Sequence, residues 1–271
     1  MIDLRPTSGL PLTFDAETLE VQFHDGLPAV EDGRRTMEAI RPVLMDPSAS
    51  GPDLLYRMYR DVAWPKDRPL EEQHHLRYDI SVFSEKRLGP EFLKSSGHYH
   101  PLVPGFDVAY PELYEILHGR VIYLLQKADD IRKGPADIVV EDVIIVEAKA
   151  GDKVVMPPNY GHITINPGPE VLVTSNWVCS DFSSYYESVE AARGGAYYCV
   201  ADGQGRPSFV PNREYREVPP YHRMRAKDVP EWGLVTGQPV YTAFVEGPER
   251  FDFLARPQDY PDMLGRALEP C

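Results

Sequence analysis

Short β-type segments dominate the chain from Leu76 onward and limit the folds that it can adopt. Apolar and polar residues alternate there with a period of two, and glycine or proline ends most runs, which is typical of strands. Many short strands in close succession, with few helices between them, favour a β-sandwich or a β-barrel. The predicted strands are 78–83, 114–117, 120–125, 138–146, 153–156, 162–165 and 171–178.

Segments with other patterns flank these strands. Apolar residues at helical spacing predict three short helices, at 34–44, 54–62 and 183–193. A turn that contains two glycines predicts a β-hairpin over 196–210. The fold class expected from these patterns is therefore all-β, with short helices at the edges of the strand-rich region.

Proline sets the organisation of the remaining chain. There are 27 prolines among 271 residues, about twice the usual share, so long uninterrupted helices are not expected over much of the chain. No linker that would separate a second domain is present. We expect an N-terminal extension with short helices at 1–75, a barrel domain at 76–215, and a C-terminal tail at 216–271 that wraps around the barrel.

The charge balance argues against two classes of partner. With 28 basic and 42 acidic residues the net charge is -14, so the chain repels nucleic-acid backbones and anionic lipid headgroups. No apolar run approaches the roughly 18 residues of a membrane span, and the first residues do not resemble a signal peptide. The cysteines Cys179, Cys199 and Cys271 are odd in number and lack metal-type spacing. We therefore expect reduced thiols in a cytoplasmic protein, with no nucleic-acid or membrane partner.

The strongest chemical signal is the pair His98 and His100. In an H-x-H pair on a strand both imidazoles point to the same face, because side chains alternate with a period of two. Together with Glu112 and His162 they form a candidate set of three nitrogen ligands and one oxygen ligand. Such a set suits Fe, Mn, Ni, Zn or Cu, and ligand type alone does not choose among the first four. For the pair alone, two histidines satisfied within a core are an equally good interpretation.

Two spacings around these residues strengthen the metal interpretation. Residues from Gly151 to Asn166 have the spacing G-x5-P-x4-H-x3-N, which includes His162. Glu112 begins an E-x6-G spacing that ends at Gly119. Both resemble the two strand motifs of the cupin barrels, whose ligands are two histidines and a glutamate from the first motif and one histidine from the second. The resemblance implies a cupin β-barrel of the jelly-roll type.

The position of the glutamate departs from the cupin pattern. Glu112 follows His100 by twelve residues, which is farther than cupins usually place it. The insert 101–111 has the composition of a loop between two strands, so both strand ends can still meet at one metal. Glu115 is the rival carboxylate, but it does not have the E-x6-G spacing to Gly119, and we prefer Glu112.

A narrower resemblance covers roughly residues 18–215. The chain is similar to the cupin-type phosphoglucose isomerases of archaea and some bacteria in the segments 78–82, 88–92, 95–100, 111–115, 124–126 and 157–166. The last fifty-odd residues are outside this similarity.

The resemblance assigns roles to individual residues. It implies that His98, His100, Glu112 and His162 hold one divalent metal per chain, most often iron, with Zn, Mn or Ni as alternatives. It further implies that the hydroxyls of Ser81 and Ser95 and the backbone N–H of Gly97 bind the phosphate of a sugar, with Tyr114 lining the sugar site. Serine stands at two family threonine positions and keeps the hydroxyl donor. We place Trp177 and Ser183 at two further substrate positions, where the family has a tyrosine and a histidine.

The function implied is metal-dependent isomerisation of a phosphorylated aldose, interconverting glucose 6-phosphate and fructose 6-phosphate. Glu112 is the expected general base and Tyr114 its neighbour in the catalytic site; proton transfer and a metal-assisted hydride shift both remain open. An iron-dependent cupin dioxygenase and a non-catalytic sugar-phosphate-binding cupin are the alternatives. Since cupins commonly pair through their sheet edges, we also expect a homodimer.

Overall fold

The computed structural model of the chain describes residues 1–134 and 136–271. The strands in this part are β1 (Ile2–Asp3), β2 (Leu12–Phe14), β3 (Val21–Phe23), β4 (Asp32–Thr36), β5 (Leu54–Tyr59), β6 (Leu76–Phe83), β7 (Arg87–Leu88), β8 (Glu91–Lys94), β9 (Glu112–His118), β10 (Arg120–Ala128), β11 (Val140–Lys149), β12 (Lys153–Met156), β13 (Tyr160–Asn166), β14 (Leu172–Cys179), β15 (Tyr197–Ala201), β16 (Pro207–Pro211), β17 (His222–Ala226) and β18 (Leu268–Pro270).

Short helices separate some of these strands. The α-helices are α1 (Arg5–Ser8), α2 (Met37–Ile40), α3 (Arg68–His74), α4 (Glu187–Ala191), α5 (Val240–Glu246) and α6 (Met263–Ala267). The 3₁₀ helices are Arg41–Val43, Pro230–Trp232, Pro248–Leu254 and Pro257–Asp259.

Two sheets form the barrel. One has the strand order β12-β9-β14-β6-β5-β4, and the other has the order β16-β15-β8-β13-β10-β11-β17-β18 with β7 beside β8. From β8 to β14 the chain passes back and forth between the two sheets, apart from the antiparallel hairpin of β10 and β11. This alternation is the jelly-roll arrangement of an all-β fold, as predicted.

Apolar side chains fill the space between the sheets. Tyr114 and Ile116 of β9 and Tyr123 and Leu125 of β10 belong to this inner core. Because neighbouring residues of a strand face opposite sides, Leu113 belongs to a different cluster on the outer face of the same sheet.

Both sheets are also covered on their outer faces. The N-terminal segments and the tail pack on the six-stranded sheet, where Trp177 meets Phe244 and Phe251 of the tail. The hairpin of β15 and β16 continues the other sheet beyond β8, and its side chains pack against the outer face of that sheet. As a result every residue of β14 is buried, and its sequence does not reveal which side chains face inward.

The structure confirms the seven predicted strands and the hairpin, and it corrects the predicted helices. The helix predicted at 54–62 is wrong, because this segment forms β5, which pairs with β6. Of the helix predicted at 34–44, only α2 and a 3₁₀ turn are present, and β4 precedes them. The helix predicted at 183–193 shrinks to α4.

The two sheets include strands outside the predicted barrel region 76–215. β4 and β5 lie before residue 76 and belong to the six-stranded sheet, while β17 and β18 lie after residue 215 and extend the other sheet. The N-terminal extension is therefore not simply a set of short helices. The division into domains itself stays a prediction.

Candidate metal centre

The two histidines of the H-x-H pair lie shortly after β8, where the chain runs beside β13. His98 and His162 form an isolated antiparallel bridge, in which the His162 N–H donates to the His98 carbonyl at 3.0 Å. Gly97 precedes the pair with φ 79°, and a Cβ at this position would lie 2.6 Å from Ile163 Cγ1. Both conditions require glycine, so Gly97 allows the H-x-H segment to approach β13 closely.

Four side chains converge from these segments and from β9. The candidate ligand atoms of His98, His100, Glu112 and His162 all lie within 4.8 Å of one another. Glu112 Oε2 is 3.0 Å from His162 Nε2, 3.4 Å from His100 Nε2 and 3.8 Å from His98 Nε2. His98 is partly exposed, whereas the other three residues are buried. The structure thus brings together the four residues that the sequence predicted as ligands.

The insert at 101–111 is the predicted loop, and its last turn supports the centre. Its Tyr110 carbonyl lies 2.9 Å from His100 Nδ1. A hydrogen bond from Nδ1–H to this carbonyl leaves Nε2, the atom that faces Glu112, free to bind a cation. The loop is held in turn by Asn159, whose side-chain oxygen accepts from the Ala109 N–H at 2.7 Å.

The structure separates the two rival carboxylates. Glu112 opens β9 and points into the barrel, whereas Glu115, three residues later, points to the outer face. There Glu115 lies 3.1 Å from Lys153 Nζ and accepts a hydrogen bond from the Val240 N–H at the start of α5. Glu115 therefore joins the sheet to the tail and takes no part in the histidine cluster.

The electrostatics of the cluster favour its metal-binding protonation states. Burial, and then the neighbouring His162, lowers the pKa of His98 to about 3. Burial also lowers the pKa of His162. Burial would by itself raise the pKa of Glu112, but the three surrounding imidazoles together hold it well below its usual value. Neutral imidazoles around a carboxylate are the forms in which these groups bind a cation.

One buried atom shows that the cluster fits a divalent metal. Among the described residues Glu112 Oε2 has no hydrogen-bond partner, although it is buried. A buried anionic oxygen without a donor is costly, and a cation between it and the three imidazole nitrogens would remove that cost. Three nitrogens and one oxygen suit Fe, Mn, Zn or Ni, and these four side chains could hold such an ion.

A cavity of about 370 Å³ opens beside the cluster. It lies between the ends of the two sheets, and His98, His100 and Glu112 form part of its wall. Its size is within the range of small-molecule sites, which is about 300–1,000 Å³. A larger cavity of about 900 Å³ lies on the other side of His100 and is bounded mainly by surface loops.

Most of the predicted substrate residues line the smaller cavity. Ser81, Ser95, Gly97 and Tyr114 are all part of its wall, as is Ser183. Ser95 Oγ accepts a hydrogen bond from the Thr164 N–H at 3.0 Å, which leaves its hydroxyl hydrogen available to a ligand. Tyr114 lies deeper, with its hydroxyl 3.4 Å from His162 Nε2. Burial holds the pKa of Tyr114 well above its usual value, so the phenol is neutral.

The assignment of Trp177 to the substrate site is wrong. Trp177 has no exposed surface, and its indole N–H donates to the Val240 carbonyl at 3.3 Å. Its neighbours on β14, Asn176 and Val178, face the cavity instead. The reason is the alternation of the strand, which places Trp177 on the outer face beneath the tail.

Several cavity residues were not predicted from the sequence. They are Arg35, Tyr56, Met58, Arg60, Arg77, Asp79, Phe83, Asn176, Phe182 and Tyr186. Asp79 could have been found, because it precedes Ser81 by two residues on the predicted strand 78–83 and so shares its face. Arg77 lies one residue before that predicted strand, which the structure extends back to Leu76. Arg35 and Arg60 could not, because each lies in or beside a segment that was predicted to be helical.

The jelly-roll barrel and its centre of three histidines and one glutamate define the chain as a cupin. The model of the family described as glucose-6-phosphate isomerase (GPI) matches residues 34–238, which is more than half of the chain. The chain belongs to this family.

Comparisons with individual proteins are more distant. The structure is similar to vicilin from Corylus avellana (hazelnut) at 12% identity and a TM-score of 0.32, over 48% of this chain and 30% of that chain. It is also similar to oxalate decarboxylase from Bacillus subtilis at 16% identity and a TM-score of 0.31, over 48% of this chain and 27% of that one. The matched regions thus span less than a third of either protein.

No curated protein matches the sequence. None of the helices in the described part of the chain has the length and apolar character needed to cross a membrane.

Proposed function

We propose that the protein is a metal-dependent aldose–ketose isomerase that interconverts glucose 6-phosphate and fructose 6-phosphate. The observation that carries this proposal is the cavity in which the histidine and glutamate cluster meets Ser81, Ser95 and Gly97. Membership of the glucose-6-phosphate isomerase family supports the same reaction.

The reaction requires a base and a means of stabilising negative charge. A proton moves between carbons 1 and 2 of the sugar, and an enediolate develops during the transfer. A divalent cation held by His98, His100, Glu112 and His162 would supply Lewis-acid stabilisation of that charge. The protein residues then have to position the sugar and move the proton.

Glu112 is our candidate for the base. It is kept as a carboxylate by the three imidazoles, and it lies in the cavity wall next to Tyr114. A Glu112 oxygen would take the proton from one carbon and return it to the next. The neutral Tyr114 hydroxyl would donate a hydrogen bond to a sugar oxygen and so hold the substrate in register.

The phosphate would lie at the Ser81 end of the cavity. Both serine hydroxyls and the Gly97 N–H are donors, and a phosphate dianion accepts hydrogen bonds at three oxygens. Five of the six residues from Ser95 to His100 line the cavity, so this one segment would contact the phosphate at its start and the metal at its end.

A direct assay tests the proposal. Metal-reconstituted protein should convert glucose 6-phosphate to fructose 6-phosphate under anaerobic conditions in a coupled assay, with mannose 6-phosphate as a comparison substrate. Consumption of O₂ would instead favour a dioxygenase, and tight binding without turnover would favour a sugar-phosphate-binding protein. Either result contradicts the proposal.

Running the reaction in D₂O tests the role of Glu112. Proton transfer through its carboxylate exchanges with solvent, so deuterium should enter the product at carbon 1 or 2. Sugar phosphate that stays free of deuterium after prolonged equilibration with the enzyme would assign a hydride shift and remove the base role from Glu112, because a proton held by a carboxylate exchanges with solvent over many turnovers.

We also propose iron as the metal and a homodimer as the assembly. Elemental analysis of protein purified without added metal should find iron at one equivalent per chain. Light scattering in solution should give twice the 30.7 kDa mass of the chain. Zinc, manganese or nickel in place of iron would change the metal but not the proposed reaction.

A further inference from the structure

Three arginines line the cavity of a strongly acidic protein. Arg35 on β4, Arg60 just after β5 and Arg77 on β6 form one wall. The carboxylates in the same cavity wall are Asp79 and Glu112, and Glu112 belongs to the metal centre. The wall away from the metal is therefore positively charged, although the chain has a net charge of -14.

The strand register places two of these arginines around Ser81. Ser81 pairs with Met58 across β5 and β6. Arg60 lies two residues beyond Met58 in one direction. Tyr56 lies two residues away in the other, and Arg35 pairs with Tyr56. Two residues along a strand span about 6.6 Å, so Arg60 lies one such step from the position opposite Ser81. Arg35 lies one step in the other direction but on β4, two strands away from Ser81, and its long side chain has to reach across Tyr56.

The side chain of Arg60 leans towards Ser81. One terminal nitrogen lies 3.3 Å from Asp79 Oδ2, and the other lies 3.9 Å from Met58 Sδ. The guanidinium thus extends from its own position back over Met58, the residue paired with Ser81.

Asp79 holds this orientation. Its carboxylate is buried, accepts from the Asp61 N–H at 2.9 Å, and also binds Arg77 Nε at 3.0 Å. A carboxylate fixed by the backbone and shared by two arginines is a positioning group for Arg60. Its single charge does not neutralise both guanidinium groups.

Arg35 has free donors. Its Nε donates to the Tyr56 hydroxyl at 3.2 Å. Within residues 1–134 and 136–271 it forms no ion pair, and its two terminal nitrogens make no hydrogen bond to protein. A guanidinium that faces a cavity with unused donors is suited to bind an anion from solution.

We propose that Arg35 and Arg60 form a two-arginine clamp on the phosphate of the substrate. The clamp adds two positive charges to the hydroxyls of Ser81 and Ser95, and it selects a sugar that carries a dianionic phosphate over the same sugar without one. This inference rests on the proposed function for the identity of the ligand. It assigns the selectivity for phosphate to residues outside the segment 95–100.

Binding measurements on the full-length protein test the clamp without depending on turnover. The probes are glucitol 6-phosphate, a sugar alcohol phosphate that has no carbonyl to isomerise, together with unphosphorylated glucitol and inorganic phosphate. Isothermal titration calorimetry is run on metal-loaded and metal-free protein. The variants are Arg35→Gln, Arg60→Gln and Arg60→Lys.

Arg34→Gln is the matched control. Arg34 directly precedes Arg35 on β4, does not line the cavity, and pairs with Asp32. Circular dichroism and melting temperature are measured for every variant, so that a loss of fold is recognised.

Each glutamine variant in the clamp should bind glucitol 6-phosphate about 10- to 100-fold more weakly than wild type, as expected for the loss of a hydrogen-bonded charge pair. Arg60→Lys should recover part of this loss. Arg34→Gln should bind glucitol 6-phosphate with the affinity of wild type, and the binding of unphosphorylated glucitol should be the same for all variants. If Arg35→Gln and Arg60→Gln fold and bind glucitol 6-phosphate within twofold of wild type, the clamp is wrong.

The outcomes separate the clamp from the proposed function. Arginine-dependent binding in a protein that does not turn over sugar phosphates would support the clamp and contradict the isomerase. Turnover with a KM that both glutamine variants leave unchanged would support the isomerase and contradict the clamp. A wild-type protein that binds neither glucitol 6-phosphate nor inorganic phosphate would contradict the clamp as well.

Discussion

Replacing Trp177 with phenylalanine should destabilise the protein without changing its affinity for substrate. The indole packs against Tyr78 and Phe244, with ring centroids 5.0 and 4.2 Å away, on the outer face of the sheet. Phenylalanine keeps one aromatic ring but leaves a cavity there and removes the donor to the Val240 carbonyl.

The size of the effect follows from these contacts. Truncating a buried tryptophan to alanine costs about 3–5 kcal/mol. Phenylalanine retains much of that packing, so the cavity should cost about 1–2 kcal/mol, and the unsatisfied carbonyl about 1 kcal/mol more. We therefore expect the free energy of unfolding to fall by about 2–3 kcal/mol, which lowers Tm by roughly 4–12 °C for a chain of this size.

Urea unfolding and steady-state kinetics on the same preparation provide the test. Asn176→Ala is the matched control, because Asn176 precedes Trp177 on β14 but faces the cavity. Asn176→Ala should act mainly on KM, which it should raise, with a smaller effect on the free energy of unfolding. Trp177→Phe should act mainly on the free energy of unfolding, which it should lower, with little effect on KM. If Trp177→Phe raised KM and left the free energy of unfolding unchanged, Trp177 would belong to the substrate site after all.

Three further predictions concern the metal centre and its surroundings. His98→Ala and His162→Ala should each lose both metal and activity, because three remaining ligands leave an open and weakly held site; one equivalent of metal in both purified variants would refute the ligand assignment. Ser95→Ala should raise KM by about 10- to 100-fold if its hydroxyl binds the phosphate, and an unchanged KM would make Ser95 purely structural. Burial raises the pKa of Glu115 to about 7, so the folded protein binds a proton at Glu115 more tightly than the unfolded chain does. This protonation should stabilise the folded protein by up to about 3 kcal/mol below about pH 4.5, and the stabilisation should be lost as the pH rises to about 7. Glu115→Gln should flatten that dependence in urea titrations at several pH values and leave the metal content intact, and loss of metal from this variant would contradict our separation of Glu115 from Glu112.

The ligand set could be predicted from the sequence because its signals are local. The H-x-H pair, the E-x6-G spacing and the G-x5-P-x4-H-x3-N spacing each lie within or between neighbouring strands, and the structure brings their residues together. The long insert before Glu112 did not obscure the site, since a loop closed by Asn159 returns the chain to the same place.

The side of the sheet that Trp177 faces could not be predicted, because both faces of β14 are buried. The tail covers the outer face with Phe244 and Phe251, which are more than sixty residues away in the sequence. The polar residues of β14, Thr174, Ser175 and Asn176, are consecutive and therefore fall on both faces. Neither face is marked as the solvent side, so the assignment of faces could be off by one residue without any local sign.

The misassigned helix at 54–62 had a larger consequence for the site. In a helix, residues four apart share a face and residues two apart do not, so Met58 would point away from Tyr56 and Arg60. In the structure Tyr56 and Met58 lie on β5 and Arg60 directly follows it, and all three side chains face the cavity. Met58 then lies opposite Ser81, and Arg60 comes within reach of Asp79. Arg60 can therefore act on a ligand at Ser81 only because this segment joins the sheet as β5.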